Sequence, residues 1–534
     1  MNKSLLKFAL IAVTSARLLA ADKFYRDDPL QKEPQPRDAA GVKPRKLNDY
    51  YDLLENSFMN RGERHGAAGT IRARDLNTLD EPMDGAWYMH RHYWNPMTDE
   101  QLRRGPGGTN PPSEAGPWAV VSAKSEGITP GFVMRDSKGE RYYVKFDPMT
   151  NPEMATGAEM IVDRLLYALG YHVPDYYLIH FTADKLALGT DVKFRDSEGH
   201  ERRMTQRDLD KLLARIPKTP DGRYRGIVSL QVEGTPVGPF KYFGTRGDDP
   251  NDVVRHEHRR ELRGLFVFAS WLNHDDSRSI NSLDTLVPGN GASYVRHHLM
   301  DFGATLGSAS TMPKTAQVGS EYYLDLKSAP RQIATFGLNV PYWAHARYPH
   351  DPAVGGFESA TFRPDSWKPD YPNPAFQNRL PDDEFWAAKQ VMAFTDEQIR
   401  GIVKVAQYSD RDAERYIADT LIARRDKIGK QYLTKVLPLD RFALADGKLV
   451  FHDLAEEHGL AVTGPLHVRW SSFDNGMGQK SPISAAQDFR VPEDSASSYL
   501  AADIWRGDDK GKTVTVYLRA TNGRNEIVGV ERTW

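Results

Sequence analysis

Lys145, Glu159, Asp276, Asn281 and Asp301 are the residues whose types and order could do chemistry in this chain. Lys145 nearly closes the run Arg141-Tyr142-Tyr143-Val144-Lys145-Phe146, and Glu159 follows 14 residues later. Asp276 and Asn281 stand five apart in Asn273-His274-Asp275-Asp276-Ser277-Arg278-Ser279-Ile280-Asn281. Asp301 opens Asp301-Phe302-Gly303, 25 residues beyond Asp276. Phosphoryl transfer needs such a set. A strand-borne lysine supplies a cation to nucleotide phosphates, and a helix glutamate holds that lysine in place. Hard oxygen ligands of the Asp301 and Asn281 kind suit a divalent metal. A carboxylate such as Asp276 orients an acceptor hydroxyl and receives its proton.

Each piece also has a structural reading. Glu159 follows Thr156 by three and could close a capping box, although Asn151-Pro152 offers an earlier helix start. Asp-x4-Asn is common in turns, where both side chains bond nearby backbone. Asp275 rivals Asp276 as the base, and the spacing to Asn281 favours Asp276. The glycines of Ser125-Glu126-Gly127-Ile128-Thr129-Pro130-Gly131, Gly127 and Gly131, are the candidates for letting backbone approach phosphate. The histidines of His256-Glu257-His258 are two apart and would face different sides of a helix, so they make a poor zinc pair. Arg246-Gly247-Asp248 reads as a turn, and Arg296-His297-His298 as part of a strand holding structural histidines.

The elements that must position these residues are legible in outline. Trp118–Ala123, Gly131–Arg135 and Arg141–Phe146 read as strands, with Asp136-Ser137-Lys138-Gly139 as a turn. Ile161, Leu165, Ala168 and Leu169 share a helix face that stops at Gly170, and Tyr176–Phe181 returns as a strand. Residues 195–224 form an insertion with a helix capped by Thr205 and Asp208, and Gly226–Val232 is a further strand. Leu262, Leu265, Phe266, Ala269 and Leu272 mark a helix, and Thr395 and Ser409 start two more. After Pro438 the pattern alternates with period two, with Asn475-Gly476 and Asn522-Gly523 as turns. Trp87, Tyr88, Tyr93 and Trp94 need burial, so the Pro- and Gly-rich stretch around them straps onto a neighbour.

The order and spacing resemble the atypical branches of the protein-kinase-like superfamily over roughly residues 116 to 437. Tyr143-Val144-Lys145-Phe146, Ala158-Glu159 and Leu169-Gly170-Tyr171-His172-Val173-Pro174 are similar to HipA-like kinases. The Asp-x4-Asn pair and Asp-Phe-Gly resemble those enzymes, phosphatidylinositol kinases and CotH-type secreted kinases, as an exported bacterial-type protein would. The resemblance implies an α+β, two-lobed kinase-like fold, with a β-rich N-lobe and a helical C-lobe. It implies ATP and Mg2+ bound between the lobes, and transfer to a hydroxyl of a protein, sugar or lipid headgroup. On that mapping Lys145 contacts phosphates, Glu159 pairs with it, Asp276 is the base, and Asn281 and Asp301 hold metal. Gly-x-Gly-x-x-Gly is absent, His-Arg-Asp is replaced by His274-Asp275-Asp276, and the adenine hinge falls around Leu230–Gly234.

The expected organisation is a signal peptide over 1–21, an irregular N-terminal extension over 22–115, an N-lobe over 116–245, a helical C-lobe over 246–437 and a small β-sandwich-like domain over 438–534. Lys3, Lys7 and the short apolar run up to Val13, followed by Thr14-Ser15-Ala16, have the composition of a secretory leader. Cleavage after Ala16, Ala20 or Ala21 makes the protein exported, periplasmic or secreted, with no integral membrane segment thereafter. The 534 residues carry 70 Lys+Arg against 72 Asp+Glu, a formal charge of −2 that argues against nucleic acid as partner. The chain has no Cys, which excludes disulfides, thiolate zinc sites and a cysteine nucleophile. Three further readings stay open: nucleotidyl transfer on the same scaffold, a catalytically silent binding module, and a structural protein of the cell envelope.

Overall fold

The computed structural model describes residues 21–66, 69–123, 130–195, 200–325, 340–483, 488–492 and 497–534. The expected leader, up to residue 20, and Gly127 lie outside the described residues. The chain divides into two compact units. One comprises Glu33–Arg74 and Asp84–Gln431, and the other the described residues up to Lys32, Asp75–Met83 and Tyr432–Trp534. The architecture is mixed α+β, and no helix among the described residues is long and apolar enough to cross a membrane.

The larger unit begins with helices α1 (Asp49–Phe58) and α2 (Asp99–Arg104). Both lie in the stretch expected to be irregular. In α1 the pattern is inverted: Asp52 and Asn56 are buried while Tyr50, Tyr51, Leu54 and Phe58 face outward, so no inward apolar stripe announces the helix. Asn48 caps it by accepting the Tyr51 N–H.

Strands β1 (Trp118–Ala123), β2 (Gly131–Arg135) and β3 (Arg141–Lys145) form a meander, followed by helix α3 (Met154–Ala168) and β4 (Tyr176–Phe181). Short strands β5 (Leu186–Leu188), β6 (Lys193–Arg195) and β7 (Glu201–Arg203) lead to helix α4 (Gln206–Leu213), where Thr205 and Asp208 make the capping box. Strand β8 (Tyr224–Leu230) then closes a sheet of order β4-β8-β3-β2-β1-β5. Successive side chains of a strand point to opposite faces. Tyr142 and Val144 of β3 enter a core with Trp118, Phe132, Val228 and Leu209 of α4. Lys145 faces the other way, towards α3.

Helix α3 is buried on almost every side, so its polar residues need partners inside the protein. It starts at Met154, before the Thr156 capping box could act. Asp147 accepts both the Thr156 N–H (2.9 Å) and its hydroxyl (2.6 Å), which leaves Glu159 available to Lys145.

Strand β9 (Thr235–Gly238), helix α5 (Arg260–Leu272), and strands β10 (Ser282–Val287) and β11 (Tyr294–Leu299) follow. The three strands form a small sheet of order β11-β10-β9. Helices α6 (Pro374–Gln377), α7 (Pro381–Met392), α8 (Asp396–Val403) and α9 (Arg411–Tyr432) complete the unit. The smaller unit has a five-stranded antiparallel sheet, within Leu466–Arg532, and a two-stranded hairpin, Leu439–Ala445 with Lys448–Asp453. Leu439 and Leu449 of the hairpin share a core with Trp470, Val514 and Val516 of the sheet.

Candidate active site

Lys145 is the centre of the site. Its Nζ donates to Glu159 Oε1 at 2.7 Å and to Asp301 Oδ1 at 2.8 Å, joining β3 and the helix after it to a residue 156 positions further along the chain. The Glu159 side chain is 2% exposed and the Asp301 side chain 41% exposed. Burial alone would lower the lysine pKa, but the Asp301 and Glu159 carboxylates outweigh it and hold the ammonium form firmly. Glu159 is pushed up by burial against the pull of Lys145. The Tyr176 hydroxyl, at the start of β4, accepts the Asp301 N–H at 3.4 Å.

Asp301 leaves β11 through a left-handed backbone (φ 64°), which an aspartate tolerates better than most residues. Phe302 is fully buried, its ring packed near those of Tyr176 and His274. The Asp-Phe-Gly turn is thus anchored by its phenylalanine while its carboxylate stays half-exposed.

Helix α5 ends at Asn273, also left-handed (φ 51°), and the chain turns through His274-Asp275-Asp276. Asn281 Nδ2 donates to the Asp276 carbonyl at 2.8 Å, and the Met300 N–H donates to the Asn281 carbonyl at 3.1 Å. The five-residue spacing therefore closes a turn and also sets Asn281 beside the residue preceding Asp301. Asp275 and Asp276 have different surroundings. Asp275 pairs with buried Lys314, which also donates to the carbonyls of Asn273 and Ala304 at 2.8 Å. Asp276 pairs with Arg278, and its side chain keeps 17% exposure against 7% for Asp275, so it is the more accessible of the two. Asp276 is raised to about 6, by burial above all and then by Asp275 and Asp301, against the pull of Arg278.

Sequence reasoning missed Arg278, Asp370, Asp49, Lys314 and Tyr176. Arg278 reaches Asp49 of α1 at 2.9 Å and Asp370 at 3.7 Å. Asp370 is buried close enough to Asp275 and Asp276 that its carboxyl is pushed up to about 9, by burial first and those two charges next. Lone acidic residues distant in sequence carry no local pattern. Arg278, lying between Asp276 and Asn281, was the one with a visible signal.

Gly131 pairs with Lys145 across β2 and β3, but most of the loop before it is outside the described residues. The histidines behave as structural groups. His256 bonds Asp252 and the Lys241 carbonyl, His258 bonds Glu63 and Arg263, and His297 bonds Asp284. Arg246 of the expected turn is buried and pairs with Asp284 at 2.9 Å. Trp87, Tyr88 and Tyr93 are buried as expected, whereas Trp94 is only partly buried.

The donor set suits Mg2+. Because Asn281 Nδ2 is committed to a carbonyl, its Oδ1 is the end left for a cation, and the half-exposed Asp301 supplies a second hard oxygen. Among the described residues no three His, Asp or Glu side chains gather as a metal cage. Mg2+ is commonly held by one or two protein oxygens, with water and substrate phosphates filling the rest.

Two cavities, of 430 and 370 Å3, lie in the same unit, and neither is lined by Lys145, Glu159, Asp276, Asn281 or Asp301. No protein family and no curated protein matches this sequence. A solved structure, the Golgi casein kinase, is similar over 76% of this chain and 96% of that one, at 10% identity and a TM-score of 0.26. At that level of likeness the site stands on its own residues and distances.

Proposed function

We propose that this protein is a magnesium-dependent, ATP-using phosphotransferase with a two-lobed kinase-like arrangement, acting on a hydroxyl acceptor. The observation that carries this reading is the placement of Lys145 between Glu159 and Asp301, with Asn281 tied to the Asp276 carbonyl. Lys145 presents a fixed positive charge to phosphate oxygens, and Glu159 keeps it from folding away. Asn281 Oδ1 and Asp301 would hold the magnesium, which when bound supplies neutralisation of phosphate charge. The Asp276 carboxylate, oriented by Arg278, accepts the proton of the acceptor hydroxyl as its oxygen bonds to the γ-phosphorus and the bond from that phosphorus to the bridging oxygen breaks, with ADP leaving. Preorganised charges of this kind stabilise the transition state without rearranging during the reaction. The composition of the first 21 residues makes the enzyme an exported one; amino-terminal sequencing of the mature protein tests that separately.

Thermal unfolding with ATP, with and without magnesium, is the test of the nucleotide site. Ligand at a hundred times its dissociation constant stabilises a fold by about 2.7 kcal/mol. A magnesium-dependent rise in Tm that Asp301→Ala abolishes is the expected result. No rise at millimolar ATP, in a sample of native circular dichroism, would overturn the reading in favour of a silent scaffold.

A further inference from the structure

We propose that the 370 Å3 cavity beside the segment Leu230–Glu233 is a second ligand site, separate from the phosphate-handling site, which takes a small oxyanion carried on an apolar body. No residue of the Lys145 cluster lines the cavity, although its Leu230–Glu233 wall is the segment expected to receive adenine, so displacement of a bound probe by ATP would place the probe in the nucleotide site instead. Its walls come from Arg91, Pro106 and Gly107 of the N-terminal strap, Tyr167 of α3, the His172–Asp175 turn, Leu230–Glu233, and Arg296 with His298 of β11. Leu230 packs against the sheet core on the face opposite Lys145. The volume falls within the range of about 300–1,000 Å3 typical of small-molecule sites and far exceeds the ~30 Å3 of one water.

Polar groups in this lining lack partners. His298 is 5% exposed; its Nε2 meets Thr285 Oγ1 at 3.1 Å, and its Nδ1 has no hydrogen-bond partner. In the tautomer in which the Thr285 hydroxyl donates to Nε2, Nδ1 carries a proton and is a buried donor without an acceptor. Such a group costs roughly 1–3 kcal/mol unless something binds it. Arg91 donates only Nη1, to the carbonyls of Tyr167 and Tyr171 at 2.7 Å, and its guanidinium stacks on the Tyr167 ring. Nε and Nη2 form no hydrogen bond among the described residues. A guanidinium with two adjacent donors uncommitted matches a carboxylate or phosphate.

The acidic residues of the lining are already engaged. Asp175 accepts from the Gly108 N–H and the Tyr177 hydroxyl, and Glu233 pairs with Arg296 at 2.9 Å. His172 and His298, their rings 6.0 Å apart, are both lowered to about 3 by burial, so they stay neutral, and His298 offers an anion a hydrogen bond but no charge. Val173, Leu230, Val232 and Pro106 furnish an apolar wall for the rest of the ligand.

Calorimetric titration of the full chain with benzoate, and separately with phenyl phosphate, tests the site. One saturable site with Kd below about 1 mM is expected, a free energy of at least ~4.1 kcal/mol. The tighter of the two probes tells whether the natural ligand carries a carboxylate or a phosphoryl group. Arg91→Lys, which can keep the carbonyl contacts but not the fork, should weaken binding about tenfold. His298→Phe should do the same, and it serves if the first variant fails to fold. Asp301→Ala should leave the affinity unchanged. The proposal is overturned if neither probe saturates a folded sample, if neither cavity variant weakens binding, or if Asp301→Ala abolishes it, which would put the probe at the phosphate site.

Discussion

Asp276 lies between opposed influences, and its protonation is where the proposed chemistry becomes measurable. Burial raises it to about 6 despite Arg278, so it is mostly ionised at neutral pH and a competent proton acceptor. Turnover should therefore fall about tenfold per pH unit below about 6. Asp276→Asn should remove that limb together with at least ~100-fold of the rate. A wild-type rate flat down to pH 5 would eliminate Asp276 as the base. Asp370 makes a different prediction, on stability. Its folded value, about 9, lies above the unfolded value, so the folded state holds a proton that the unfolded chain releases. Its contribution is complete below about pH 4 and is lost as pH rises towards 9, with a limiting slope of ~1.4 kcal/mol per unit. Asp370→Asn cannot ionise, so its urea stability should fall less than that of wild type between pH 6 and 9. Parallel curves would mean that the proton is not held there.

At the scale of elements, helix α3 decides whether Glu159 can serve Lys145, and its start depends on Asp147. Asp147 is buried, accepts both polar groups of Thr156, and lies near Arg225, which donates to Thr156 Oγ1 at 3.1 Å. Asp147→Ala leaves buried Arg225 without its carboxylate and two Thr156 donors without an acceptor. A loss of about 3 kcal/mol in urea unfolding is expected. Asp147→Asn, which keeps an acceptor, should cost less; equal costs would show that the charge and not the hydrogen bonds dominates. Much of this local order was legible in sequence. The strands around Lys145, the helix bearing Glu159 and the Thr205 cap follow from alternation, helical spacing and capping residues. Helix α1 was not, because its buried side is polar: Asp52 meets the Tyr371 hydroxyl at 2.6 Å, a partner 319 residues away. The link from Asp49 through Arg278 to Asp276 was hidden for the same reason. Charge pairs between distant segments leave no periodicity.

At the scale of the whole molecule, the smaller unit is closed by residues from opposite ends of the chain. Phe24 is 3% exposed, its ring 5.1 Å from that of Tyr517 and 6.1 Å from those of Phe473 and Tyr499. Its N–H donates to Asn475 Oδ1 at 2.9 Å, and its carbonyl accepts from Asn475 Nδ2 at 2.9 Å, so an Asn-Gly turn doubles as a clamp. The ring fits because residue 529 is glycine: a Cβ there would lie 2.5 Å from the Phe24 ring. Two routes to the same loss follow. Phe24→Ala empties a cavity in a packed aromatic cluster and should cost about 3–5 kcal/mol. Gly529→Ala fills the same space from the other side and should cost about 1–3 kcal/mol through overpacking. Since both act on one contact, the double variant should lose less than the sum of the two, because the added methyl then enters the space that the ring has left. Denaturant titration of the four proteins measures this coupling directly. Strict additivity would mean that the two positions do not share that space.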